Sequence, residues 1–112
     1  MTEQHTLVTP LVTIERTSER DVQHRQIILS IDDQPFATLM FGKSETKPIS
    51  PGHHRLKAYN TLVWKTVEFD VAEGEHARFQ VINRPGRWTY PLVALLGVGP
   101  IYLTIEQIAS RK

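Results

Sequence analysis

The sequence predicts an all-β domain, an antiparallel two-sheet β-sandwich of about seven to eight short strands. Three observations carry this. Apolar residues alternate with polar ones in one segment after another, turn signals recur about every 8–12 residues, and no stretch shows a helical stripe bounded by caps. A small barrel satisfies the same pattern. The sandwich is preferred because the segments are short and their connections local.

Taken in order, residues 1–10 are polar, end in Pro10 and read as a flexible N-terminal arm, leaving 11–112 as a single domain. Val12 and Ile14 alternate with Thr13 and Glu15, as in a half-buried strand. Thr17 to His24 is charged and reads as a loop. Gln26 to Ile31 and Pro35 to Phe41 are apolar runs separated by Asp32-Asp33, which favours a tight hairpin because Asp tolerates turn geometry. A short strand is expected over Glu45 to Ile49. Ser50-Pro51-Gly52 then marks a turn, with Leu56 and Ala58 facing inward beyond it and Arg55 and Lys57 facing water.

Val67, Phe69 and Val71 share one face of the next strand, with Thr66, Glu68 and Asp70 on the other. Ala77, Phe79 and Val81 repeat that pattern after Ala72-Glu73-Gly74-Glu75. The matching faces and the short loop predict that these two strands pair as a hairpin. Ile101, Leu103 and Ile105 alternate with Tyr102, Thr104 and Glu106 in a last strand. Gln107 to Arg111 admits a short helix.

Size and composition bound the function. A chain of 112 residues is long enough to bury a core without staples. The absence of cysteine excludes disulfides, thiolate metal sites and cysteine nucleophiles, and leans toward a reducing, cytoplasmic compartment. A formal charge of +1 with interspersed signs gives no field for steering nucleic acid. No signal peptide is visible at the N-terminus. The apolar stretch from Pro91 to Leu103 is broken by Gly97, Gly99 and Pro100, and is too short to span a membrane, which takes about 20 residues.

Three groups of residues together carry a resemblance: Ile31-Asp32-Asp33-Gln34-Pro35, the turn Ser50-Pro51-Gly52-His53-His54 with Leu56 after it, and Val67-Glu68-Phe69-Asp70-Val71 ahead of Gly74-Glu75. This layout resembles the PEGA-like and carboxypeptidase-regulatory-like β-sandwich modules of bacteria, over residues 25–83. Asp33 stands where those modules usually have Gly, and Tyr59-Asn60-Thr61-Leu62 replaces their usual Gly-Tyr pair. The resemblance implies an immunoglobulin-like sandwich and an accessory or interaction role without catalytic residues.

Motifs that could carry chemistry are weak. Gly42-Lys43-Ser44 matches the end of a phosphate-binding loop, but Ala37 occupies the position of the first Gly and no helix follows. His53 and His54 are adjacent, so on a strand they point to opposite faces and cannot readily share a metal. No nucleophile–histidine–carboxylate spacing is evident. The expectation is therefore a non-enzymatic module with no cofactor and no metal.

Two features point to contact surfaces. Leu92, Val93, Leu95, Leu96 and Val98 are too closely spaced for a half-buried strand to hide them all. They mark a collapsed core segment, an interface with a protein partner or a second copy, or shallow insertion at a membrane surface, which the lack of flanking basic residues disfavours. Trp88 and Tyr90, beside Arg84 and Arg87, and separately Trp64, are candidates for a ligand platform, carbohydrate included. Their alternative role is to close the sandwich edge under snorkelling arginines.

Overall fold

A computed structural model describes residues 8–23, 25–85, 95 and 101–111. Among them run eight strands: β1 (Leu11–Glu15), β2 (Ile27–Ile31), β3 (Gln34–Leu39), β4 (Ser44–Pro48), β5 (Gly52–Tyr59), β6 (Trp64–Val71), β7 (His76–Pro85) and β8 (Ile101–Arg111). They form two four-stranded sheets, ordered β4-β1-β7-β8 and β3-β2-β5-β6. The molecule is a β-sandwich, as its alternation predicts. Pairing is antiparallel throughout except between β1 and β7, which run parallel. The likeness to immunoglobulin domains is one of architecture. In those domains the first two strands are neighbours, whereas here β1 lies between β4 and β7.

The inward faces follow from the period-two pattern. On β5, His54, Leu56 and Ala58 are buried while His53, Arg55, Lys57 and Tyr59 are exposed. Phe69 and Val71 from one sheet meet Ala77, Phe79 and Val81 from the other, with Val12, Ile14, Ile27, Leu29, Leu56 and Leu103 completing the core. Each Val, Leu, Ile or Phe side chain among them contributes roughly 1.5–3 kcal/mol by leaving water.

Asp32 and Asp33 form the β2–β3 turn with φ of 52° and 66°. Positive φ at both central residues is the type I′ geometry, whose twist matches that of the flanking strands. Asp is among the residues that tolerate this geometry, and here the Asp32 carboxylate is held by β5. Asp32 Oδ1 accepts the Arg55 amide at 2.9 Å.

Three expectations are corrected. β6 and β7 do not pair as a hairpin. β6 bonds β5, β7 bonds β1 and β8, and the 72–75 connection crosses from one sheet to the other. The place beside β7 is taken by the N-terminal segment: the Gly74 amide donates to the Val8 carbonyl at 2.8 Å, and the Leu11 amide to Glu75 at 3.1 Å. Val8 to Pro10, read as part of the arm, are therefore tied to the domain, and Pro10 also accepts the Ile49 amide. Residues 107–111 continue β8 rather than forming a helix, because they pair with the start of β7. No helix among the described residues is long and apolar enough to cross a membrane.

Candidate binding face

The site begins with a buried polar network that sequence reading missed inside its charged loop. Arg16 follows the last residue of β1 and is 0% exposed. Its Nε and Nη2 donate to the two carboxylate oxygens of Asp21 at 3.0 and 3.2 Å, a bidentate pair. Its Nη1 donates to the carbonyls of Arg25 at 2.5 Å and Leu39 at 2.8 Å. Asp21 in turn accepts the amides of Gln23 and Asn83. The Asn83 side-chain oxygen accepts from Asn60 Nδ2 at 3.0 Å, and Asn60 Oδ1 accepts the amides of Leu62 and Val63. The alternation of β7 places Asn83 on the inward face, so a buried amide there requires such partners.

This network shapes the β5–β6 hairpin and the entry to β2. Gln23, Arg25 and Thr61 adopt φ of 66°, 64° and 75°, a costly conformation for residues with a Cβ. Each is held in place: Gln23 and Arg25 by their backbone bonds to Asp21 and Arg16, and Thr61 inside the turn closed by Asn60, whose amide donates to Val63. Arg25 also donates to Thr61 Oγ1 at 2.8 Å, linking the two segments at the surface.

The hairpin presents aromatic side chains outward. Register places Ile28, Tyr59 and Trp64 side by side across β2, β5 and β6. Trp64 is 65% exposed, Tyr59 37%, Ile28 36% and the turn residue Leu62 47%. The Tyr59 and Trp64 rings lie 6.5 Å apart at 54°. The next row on the same face is Ser30, Lys57 and Thr66. Ile28, Ser30, Lys57, Tyr59 and Trp64 line an open groove of about 390 Å³, within the size range of small-ligand sites.

The far end of this face is ionic. His53 stands between Asp70 at 2.9 Å and Glu68 at 2.5 Å. Bonds to Glu68 first and Asp70 second raise the His53 pKa above its ordinary value, and the same bond to His53 lowers that of Glu68. His54 points the opposite way. It bonds Asp32 Oδ2 through Nδ1 at 2.5 Å and donates from Nε2 to the Ser50 carbonyl at 2.6 Å, pinning the β2–β3 turn to the start of β5. That bond chiefly holds the Asp32 carboxyl below the usual value, with the Arg55 amide assisting. The two histidines thus occupy opposite faces, as strand geometry requires.

Of the residues singled out from sequence, Trp64 lies on this face, at the start of the edge strand β6. Trp88 and Tyr90 fall outside the described residues, as do Leu92, Val93, Leu96 and Val98. Leu95 is described and is 78% exposed. Gly42-Lys43-Ser44 leads directly into β4, so its amides do not open a helix toward a phosphate. Tyr59 and Ile28 were missed. Tyr59 was legible, since it shares parity with outward Arg55 and Lys57, and Trp64 shares parity with outward Thr66 and Glu68. The cross-strand row that joins them to Ile28 depends on register. No protein-family model, characterised protein or solved structure matches the chain.

Proposed function

We propose that this domain is a non-catalytic binding module whose recognition surface is the outer face of β2, β5 and β6. The observation that carries the reading is Trp64, a large ring left mostly in water on a rigid strand, with Tyr59, Ile28 and Leu62 exposed around it. Trp and Tyr supply most binding energy where they occur at interfaces, and they do so at low entropic cost. The buried Arg16–Asp21–Asn83–Asn60 network keeps the hairpin in one shape, which lowers the cost of binding further. The groove lining is rich in contact area and poor in groups able to move a proton at neutral pH. The resemblance to accessory sandwich modules points the same way.

A parallel screen of the wild type and Trp64→Ala on glycan and peptide arrays tests this. Ligands held by the wild type should be lost by the variant while its circular dichroism and Tm stay unchanged. A variant that retains every ligand removes the reading. Self-association is a second reading, favoured by the exposure of Leu95. Light scattering over a concentration series, with Leu95→Asp as control, decides it: a strict monomer in both proteins ends that reading.

A further inference from the structure

The groove on this face pairs an apolar row with a polar one, and its charge is unbalanced at one residue. Along β5, the outward cations are His53, Arg55 and Lys57. Register sets His53 opposite Asp70 and Arg55 opposite Glu68, so each faces a carboxylate. Lys57 is flanked by Ser30 on β2 and Thr66 on β6, and neither is charged. The ammonium beside the aromatic rings therefore has no acid across from it on either neighbouring strand.

Resting on the binding role proposed above, we infer that the groove takes a carboxylated sugar, a pyranoside of the uronic acid class. A pyranose ring has an apolar C–H face and a polar rim, the same division that the two rows display. The C–H face stacks on Trp64, with the tilted Tyr59 ring against its edge. The rim reaches Ser30, Thr66 and Lys57, which lie two residues along their strands, roughly 7 Å away. That separation suits a ring together with its exocyclic carboxylate, which accepts a charge-assisted hydrogen bond from Lys57. A neutral sugar leaves Lys57 unmatched. A peptide or a second copy would cover the aromatic row without needing the hydroxyl row beside it.

Calorimetric titration with glucuronate-, galacturonate- and mannuronate-containing disaccharides, each beside its neutral hexose counterpart, tests the inference. At least one acidic disaccharide should bind about tenfold tighter than its counterpart, the worth of one charge-assisted bond. Lys57→Met should abolish that preference and keep the residual affinity, whereas Trp64→Ala should lose both sugars with Tm unchanged. Equal binding of acidic and neutral sugars, or a preference that survives Lys57→Met, overturns the carboxylate assignment. No titration by any disaccharide overturns the sugar assignment altogether. The peptide-array arm above then still judges the binding face, so the two failures are distinguishable.

Discussion

Phe69 of β6 and Phe79 of β7 meet edge to face across the inter-sheet space, with ring centroids 4.8 Å apart at 62°. The contact exists because the 72–75 connection crosses between sheets instead of closing a hairpin. It joins the two layers at the middle of the core, where Phe79 is fully buried. Phe79→Ala should cost about 3–5 kcal/mol in urea denaturation. A double-mutant cycle with Phe69→Leu and Phe79→Leu should return a coupling of about 0.5–1.5 kcal/mol, as for an aromatic pair in contact.

The Arg16–Asp21 pair predicts a larger penalty for half-removal than for its net worth. Arg16→Met leaves a buried carboxylate without its cation and frees the carbonyls of Arg25 and Leu39. The expected loss is about 3–5 kcal/mol. Chemical denaturation of Arg16→Met, Asp21→Asn and the double variant should show strong non-additivity. The double variant should be far less damaged than the sum of the two singles.

The type I′ turn offers a substitution in the opposite direction. Asp33 holds φ of 66°, where Gly pays no Cβ penalty. Asp33→Gly should stabilise the domain by up to about 1 kcal/mol, a Cβ penalty of about 1–2 kcal/mol offset in part by the greater chain entropy that Gly loses. Asp32→Gly should not, because it removes the bonds to His54 and to the Arg55 amide. Thermal melts of the two variants should move in opposite directions from the wild type.

The His53 cluster gives stability a defined pH window. His53 has a raised folded pKa, so its contribution is complete below its unfolded value of about 6.5 and fades as pH rises through the folded value. Glu68 has a lowered folded pKa, so its contribution is present above about 4.3 and fades as pH falls through the folded value. The destabilisation caused by His53→Asn should therefore peak between these limits and shrink as pH rises through the folded His53 value. Proton NMR of the His53 ring should show a titration midpoint above that of a free histidine, and Glu68→Gln should lower it.

Strand positions, inward residues and the Asp32-Asp33 turn were legible because each depends on neighbours in the chain. Alternation marks Phe69 and Phe79 as inward whichever strands they bond to. A hairpin and a sheet-crossing arch bury the same residues, so periodicity could not separate them. What separates them is Val8 and Leu11 bonding to Gly74 and Glu75, contacts made across more than 60 positions of sequence. The buried role of Arg16 and Asp21 was hidden for the same kind of reason. A charged loop is usually solvated, and only the partners supplied by Asn83 and Leu39 make burial affordable.

By itself the sequence determined that this chain is an all-β protein, which apolar residues of its strands face inward, and that Asp32-Asp33 form a turn. Those are consequences of side-chain chemistry acting over two or three positions. The tertiary structure alone decided which strands are neighbours, where the polar network sits, and that Ile28, Tyr59 and Trp64 form one row beside an unopposed Lys57. Such juxtapositions come from register between strands distant in sequence, which local pattern does not encode.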